Sequence, residues 1–237
     1  MPSRIYHIED DVLWRDAIDR WCAGRNDVTL VGSSGRLWAG VEECLQLKPD
    51  IVVLDLILPD ATTTRALDAV LSMPGSSVVF VLTAMQSQLP LYALTWPMVK
   101  GLIWKSPAVV EDLNRTFDTA MSGGRFLAAP VKNAFLVFRS APDAFFKILS
   151  KTELELLPHI IQGSSDGEIA LKNGVCCSTV KTHRLHILRK LGMTSTEKLI
   201  CWAVIRGFLP APLIGGSEAA GFPAAAGASA QEKRVLA

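Results

Sequence analysis

The sequence predicts an α/β domain with a five-stranded parallel sheet, followed by a small all-helical domain. In the first half, apolar runs typical of buried strands alternate with amphipathic stretches of helical spacing. Such alternation is characteristic of a parallel sheet that is covered by helices on both faces. From residue 149 to residue 208 the pattern is helical throughout, with repeated helix-start signals. The change of pattern indicates two domains.

The strands of the first half are short and strongly apolar. They are predicted near residues 5–9, 28–32, 51–56, 78–82 and 101–104. The segment Val12–Ala23 is the clearest intervening helix, because its apolar residues recur at helical spacing. The last helical pattern of this half spans 108–121 and stops at a pair of glycines. We therefore place the first domain at residues 1–122.

The second half contains a connector, a helical domain and a tail. The predicted interdomain linker, 123–147, carries scattered prolines and five phenylalanines, and a freely solvated linker would be poor in such aromatic residues. We therefore expect the linker to dock against one of the domains. The helical domain is placed at 148–209. The Ala/Gly/Pro-rich composition of residues 210–237 predicts a disordered tail.

Within the helical domain, three helix starts have the capping-box pattern, in which a hydroxyl residue precedes a glutamate by three positions. The pairs are Ser150 with Glu153, Ser165 with Glu168, and Thr194 with Glu197. Gly163 lies between the first two boxes and is suited to ending a helix. These signals predict separate short helices.

Bulk composition narrows the class of protein. With 49% hydrophobic and 20% charged residues, the 237-residue chain is typical of a folded globular protein. No apolar run is long enough to span a bilayer, and the N-terminus lacks an apolar signal region. The five cysteines are an odd number without zinc-type spacing, which favours free thiols in a reducing compartment. We expect a cytoplasmic protein without a membrane partner.

Charge is spread unevenly along the chain. No acidic residue lies between Glu168 and Glu197, whereas this interval holds Lys172, Lys181, Arg184, Arg189 and Lys190. The first strand and its flank are instead acidic, with Glu9, Asp10, Asp11, Asp16 and Asp19. The asymmetry indicates a nucleic-acid-binding surface on the second domain and a cation site on the first.

Polar side chains lie where the predicted strands end: Asp10 and Asp11, then Asp55, Thr83 and Lys105. These ends converge on one crevice in an open parallel sheet. Asp10, Asp11 and Asp55 are the predicted metal ligands, because Mg²⁺ prefers oxygen donors. Asp55 is the predicted nucleophile toward a phosphodonor. Thr83 and Lys105 complete the site, since they can hydrogen-bond the phosphoryl group and balance its charge.

On these residues, positions 3–122 resemble the receiver domain of bacterial two-component response regulators. Asp10 and Asp11 resemble its acidic pair, and Asp55, within DLILPD, resembles its phosphoacceptor. Thr83, within LTA, and Lys105 resemble its switch hydroxyl and its lysine. The resemblance implies a flavodoxin-like, doubly wound sheet, Mg²⁺ as cofactor and a sensor histidine kinase as phosphodonor.

Two features depart from the receiver pattern. The family usually has Tyr or Phe three residues before the lysine, and this chain has Leu102. Pro90 and Pro97 bracket the fourth helical segment, and proline inside a helix removes a hydrogen bond. Both features bear on how a signal leaves Thr83.

Residues 148–208 resemble the C-terminal domain of NarL/FixJ-type (LuxR-type) regulators. The matching stretches are LSKTELELL, GSSDGEIALKNGV and STVKTHRLHILRKLG. The resemblance implies a small all-α helix-turn-helix domain whose last helix mediates dimerisation, and hence a homodimer on double-stranded DNA. The family usually has serine where Cys176 begins the recognition helix.

The recognition helix can also be divided into faces from its own residues. Val180, Ile187 and Leu191 form the predicted core stripe. The predicted DNA contacts are Lys181, Thr182, His183, Leu185 and Arg189. A basic outward face on the second helix of a helix-turn-helix is suited to the major groove of DNA.

The predicted function is transcription control by a DNA-binding response regulator that is itself not an enzyme. RNA polymerase is a further candidate partner. A regulator that binds DNA independently of phosphorylation is the alternative that Leu102 and the two prolines suggest. An Mg²⁺-dependent aspartyl-phosphate phosphatase would need a second aspartate where Ile57 stands. A phosphate-accepting or protein-interaction module without DNA binding is disfavoured by the acid-free basic helix.

Overall fold

The computed structural model describes residues 1–209, and the predicted tail at 210–237 lies outside them. Strands and helices alternate through the first domain. They are β1 Ser3–Ile8, α1 Val12–Ala23, β2 Val28–Ser34, α2 Leu37–Leu47, β3 Ile51–Leu54, α3 Thr63–Val70, β4 Val78–Thr83, α4 Gln88–Ala93, β5 Val99–Trp104 and α5 Val109–Met121. Each predicted strand is present, with ends shifted by up to two residues.

The five strands form one parallel sheet in the order β2-β1-β3-β4-β5. This is the flavodoxin-like order of a doubly wound fold, as the sequence predicts. Successive residues of a strand point to opposite faces of the sheet, so each strand contributes side chains to two hydrophobic cores. Ile5, Phe80 and Phe117 belong to the core under α1 and α5, whereas Ile8 and Leu54 belong to the core on the opposite face.

Helix α4 is short, and the positions of Pro90 and Pro97 are compatible with its two ends. Pro90 lies in the first turn, where helix amides have no partner within the helix, so its missing N–H costs little. The helix ends at Ala93, before Pro97. The fourth helical segment is therefore a six-residue helix rather than a broken longer one.

The second half is helical throughout. Its helices are α6 Ala129–Ser140, α7 Phe145–Ile148, α8 Lys151–Ile161, α9 Asp166–Asn173, α10 Cys177–Lys190 and α11 Thr196–Ile205. The capping boxes at Ser150 and Ser165 both form. The predicted third box is wrong by one residue, because Ser195, rather than Thr194, caps α11 and accepts from the Lys198 amide. Gly163 follows α8 with a left-handed φ of 84°, as expected of a helix stop.

The linker docks against both domains, not against one. Helix α6 packs on α4 and β5 of the first domain. In α7, the Phe145 ring lies 5.2 Å from Tyr92 of the first domain, 6.3 Å from Trp202 and 5.0 Å from Phe208 of the second, between ring centroids. The aromatic residues of the linker thus form part of a core that the two domains share.

The domains also touch directly at α4. The Leu89 amide donates a hydrogen bond of 3.1 Å to the Arg206 carbonyl at the end of α11. Gly207 follows with a left-handed φ of 84°, and a Cβ there would collide with the Ser87 hydroxyl. This close approach needs glycine. Across residues 1–209, none of the helices combines the length and apolarity that a bilayer crossing needs.

Candidate functional site

Three of the predicted site residues meet at the C-terminal ends of β3, β4 and β5. Lys105 Nζ lies 2.7 Å from Asp55 Oδ2, and both side chains are almost fully buried. The Lys105 amide donates to the Thr83 carbonyl at 3.0 Å, which fixes the two strand ends side by side. The other Asp55 oxygen, Oδ1, accepts from the Leu56 amide at 2.6 Å. The Asp55 side chain is therefore oriented by Lys105 and by the Leu56 amide at the base of the crevice.

The acidic pair differs from the predicted one. Glu9 is fully buried, and its carboxylate lies 2.7 Å from Lys105 Nζ. Glu9, Asp10 and Asp55 each bring an oxygen to within 4.8 Å of the others. Asp11 is outside this group, because it caps α1 and accepts from the Leu13 amide at 2.9 Å. The structure thus groups Glu9, rather than the predicted Asp11, with Asp10 and Asp55.

The sequence contained signals for this arrangement of Glu9 and Asp11. An aspartate directly before an amphipathic helix is a strong N-cap candidate, which applies to Asp11. Glu9 ends the predicted first strand, and strand alternation puts it on the same face as Ile5, which packs toward α1 and α5. The Glu9 side chain therefore reaches Lys105 on that face of the sheet.

Electrostatics at the site favour a bound cation. Burial, followed by the negative charge of Asp55, raises the pKa of Glu9 to about 7 against the opposing effect of Lys105. Burial lowers the pKa of Lys105, but the charge of Asp55 and hydrogen bonds to Asp55 and Glu9 outweigh it, so that the pKa is raised overall. Three carboxylates around one ammonium leave an excess of negative charge. This oxygen-rich cluster fits Mg²⁺, which binds carboxylates and keeps several waters.

Thr83 is fully buried and is the last residue of β4, directly before the loop that leads to α4. Its hydroxyl accepts from the Met85 amide at 3.3 Å, so the hydroxyl is tied to that loop. Leu102, at the usual aromatic position, is buried in β5 and belongs to the same core as Leu89. An aliphatic side chain in that core has no polar tip to exchange between buried and exposed positions.

The DNA-binding prediction falls on α10, and most of it is compatible with the structure. Val180 and Ile187 are buried and Leu191 is half-buried, which agrees with the predicted core stripe. Four of the five predicted contacts are exposed: Lys181, Thr182, Leu185 and Arg189. His183 differs, because it is half-buried and groups with Glu153 and His186 toward α8.

Two basic residues between Glu168 and Glu197 form ion pairs within the helical domain. Arg184 pairs with Asp166 at 2.7 Å and donates to the Ser164 carbonyl at 3.0 Å. Lys190 pairs with the buried Glu153 at 2.7 Å. The exposed face of α10 therefore carries fewer unpaired positive charges than the number of Lys and Arg residues suggests. Lys181 and Arg189 supply the charges on the predicted DNA-binding side.

Comparison with known proteins identifies the family. Residues 147–203 match the family described as bacterial regulatory proteins, luxR family. The oxygen regulatory protein NreC of Staphylococcus aureus is 30% identical over 198 residues, which cover 78% of this chain and 89% of NreC. The chain is a response regulator of the NarL/FixJ family with a LuxR-type helix-turn-helix domain. It belongs to a family of DNA-binding transcription regulators of two-component systems, which are not enzymes.

Solved response regulators share the fold. RcsB in a DNA complex aligns with a TM-score of 0.54 and 20% identity over 85% of this chain and 98% of that one. RcsB from Salmonella enterica serovar Typhimurium, bound to the rprA promoter in the presence of the phosphomimetic BeF3-, aligns with a TM-score of 0.58 and 17% identity. That alignment covers 84% of this chain and 98% of RcsB. The predicted receiver fold and helical domain are thereby confirmed.

Proposed function

We propose that a sensor histidine kinase phosphorylates this response regulator at Asp55, and that phosphorylation controls transcription from promoters bound by α10. The observation that carries the proposal is the crevice in which Lys105 bridges Asp55 and Glu9, 2.7 Å from each. We place the activity in the cytoplasm and regard RNA polymerase as a candidate partner.

Each residue of the crevice has a distinct role in this proposal. Asp55 is the nucleophile, and the Leu56 amide on Oδ1 helps to orient its carboxylate. Glu9, Asp10 and Asp55 would hold Mg²⁺, which supplies charge neutralisation for the transferring phosphoryl group. Lys105 provides a fixed positive charge to the aspartyl phosphate. Thr83 would donate its hydroxyl proton to a phosphoryl oxygen, which draws the β4–α4 loop toward Asp55.

Labelling with a small phosphodonor tests the site. Acetyl phosphate should label the wild type in the presence of Mg²⁺, and Asp55→Asn should take no label. Glu9→Gln should weaken Mg²⁺ binding and slow labelling, because it removes a charged ligand. Asp11→Ser is the matched control: it keeps a side-chain cap on α1 and should label at the wild-type rate. Slow labelling of Asp11→Ser with normal labelling of Glu9→Gln would instead support Asp10 and Asp11 as the acidic pair.

We further propose that the protein binds double-stranded DNA as a homodimer through Lys181, Thr182, Leu185 and Arg189. These side chains are exposed along one side of α10, and no acidic residue lies on that helix. RcsB, which has the same fold, is solved in complex with DNA. Footprinting with and without a phosphodonor tests both binding and its control. An absence of protection by the phosphorylated protein on any promoter fragment would contradict the proposal.

The route from Asp55 to DNA would run through the β4–α4 loop rather than through residue 102. Ser87 in this loop lies against Gly207 at the end of α11, and Leu89 hydrogen-bonds Arg206. A cavity of about 270 Å³ beside this contact is lined by Ile57 and Met85 of the first domain and by Val204 and Gly207 of the second. Movement of the loop toward a phosphoryl group would therefore act on α11 without an aromatic relay.

Two glycines with the same backbone conformation test this route. Gly207→Ala should push α11 away from Ser87 and reduce the effect of phosphorylation on DNA binding. Gly163→Ala is the matched control, since Gly163 has the same φ of 84° but nothing within 4 Å of its added Cβ. Both variants carry the backbone strain, and only Gly207→Ala carries the collision. Equal effects of the two would contradict the route. Phosphodonor-insensitive binding by the wild type would instead favour the phosphorylation-independent alternative.

A further inference from the structure

A cluster of two histidines and one glutamate lies between α8 and α10, remote in sequence from the crevice at Asp55. His183 and His186 are three residues apart on α10, so both project from one side of that helix. Glu153 faces them from the first turn of α8. One ring nitrogen of each histidine and one carboxylate oxygen lie within 4.8 Å of one another. Nothing in the proposed phosphorylation or DNA binding uses this cluster.

The polar atoms of the cluster are only partly accounted for. Oε2 of Glu153 accepts from the Ser150 amide and from Lys190, both at 2.7 Å. Nδ1 of His183 is buried and has no hydrogen-bond partner among residues 1–209. The rings of His183 and His186 are nearly perpendicular, with centroids 6.5 Å apart, so they are not stacked on each other. A buried imidazole nitrogen without a hydrogen-bond partner calls for an explanation, and a bound metal ion would supply one.

We propose that Glu153, His183 and His186 bind Zn²⁺. Two imidazoles and one carboxylate are a known zinc ligand set, in which water takes the fourth position. In a tetrahedral zinc site with bonds of about 2 Å, ligand atoms lie roughly 3.3 Å apart. The cluster therefore needs only small side-chain rotations to close around the ion. The oxygen-only cluster at Glu9, Asp10 and Asp55 favours Mg²⁺, so the two sites select different ions.

Lys190 is the competitor for this site. Its ammonium neutralises Glu153, and its side chain is about one-third exposed, so it can turn to solvent when a cation arrives. Because Zn²⁺ must displace Lys190 from Glu153, it binds more weakly here than it would at a site whose carboxylate is unpaired. The bound ion would link α8 to the recognition helix and leave Lys181, Leu185 and Arg189 on the exposed side.

Metal titration of the full-length protein tests the site. Calorimetry is run with excess Mg²⁺ to occupy the carboxylate cluster, on a background in which the exposed Cys176, Cys177 and Cys201 are serine. This protein should bind one equivalent of Zn²⁺, and His186→Asn should lose that equivalent. His159→Asn is the matched control, because His159 is on α8 but outside the cluster. It should keep the full stoichiometry.

Two further readouts separate loss of the site from loss of the fold. Co²⁺ in place of Zn²⁺ should give visible absorption bands of a four-coordinate site in the parent and in His159→Asn, and none in His186→Asn. Zn²⁺ should raise the unfolding temperature of the parent but not of His186→Asn, since a ligand stabilises only the state that binds it. The proposal is overturned if the parent binds no Zn²⁺, or if a folded His186→Asn binds as many ions as the parent.

Discussion

Replacing Cys176 by serine should stabilise the DNA-binding domain, because Cys176 occupies the N-cap of α10 without capping it. Its backbone already has N-cap geometry, with φ −74° and ψ 146°, but its thiol makes no cap hydrogen bond. At the N-caps of α8, α9 and α11, by contrast, serine hydroxyls accept from backbone amides at 3.2–3.4 Å. The Thr179 amide, which a serine would accept from, donates instead to the Cys176 carbonyl at 3.0 Å.

The expected gain in stability depends on how well the amides at the start of α10 are already hydrogen-bonded. A serine N-cap is worth about 0.5–2 kcal/mol relative to a residue that cannot cap. Because the Thr179 amide already has a backbone acceptor, the gain should lie in the lower part of that range, about 0.5–1 kcal/mol. For a domain of about 60 residues, 1 kcal/mol shifts the unfolding temperature by roughly 4–8 °C. We therefore expect an increase of about 2–8 °C.

Differential scanning calorimetry of the full-length chain measures this change. Cys177→Ser is the matched control: it removes the neighbouring exposed thiol at the first helical position, where a hydroxyl has no cap to make. Its unfolding temperature should stay close to that of the wild type. The reasoning is refuted if Cys176→Ser unfolds at or below the wild-type temperature, or if Cys177→Ser gains as much.

Further outcomes are expected at the two functional surfaces. Mg²⁺ affinity should fall as pH decreases through about 7, because the pKa of Glu9 is raised to about 7 and a protonated carboxyl cannot bind the ion. Calorimetry on either side of neutral pH measures this, and Glu9→Gln should flatten the dependence. The phosphoryl group should be long-lived, because Ile57 and Met85, two residues after Asp55 and Thr83, are apolar and disfavour the placing of an attacking water; loss of label within seconds at neutral pH would contradict this. Arg189→Ala should lower the slope of log K against log salt by about one unit on every sequence. Leu185→Ala should leave that slope unchanged and relax preference at one base pair by about 1–3 kcal/mol, as titrations on operator and scrambled duplexes would show.

The sequence alone determined the architecture and most of the crevice at Asp55. Buried parallel strands are continuous apolar runs, and they end where polar residues begin. Asp55, Thr83 and Lys105 could therefore be assigned to one crevice from the positions at which the apolar runs end. The helices of the second half could also be predicted from the sequence, because their ends depend on nearby residues. Ser150 and Ser165 cap helix starts through local hydrogen bonds, and Gly163 follows a helix end with a left-handed φ.

Only the tertiary structure decided which of several neighbouring polar residues enters the crevice and which forms a local contact. Glu9 enters the crevice and Asp11 caps α1, although both carry carboxylates beside the same strand end. His183 groups with Glu153 and His186, and Lys190 forms an ion pair with that same buried carboxylate. These outcomes depend on partners that are distant along the chain. A local sequence pattern predicts the charge of a side chain and the face of the helix or strand on which it lies. The residue that it contacts is decided only by tertiary packing, here of α8 on α10 and of β5 beside β4.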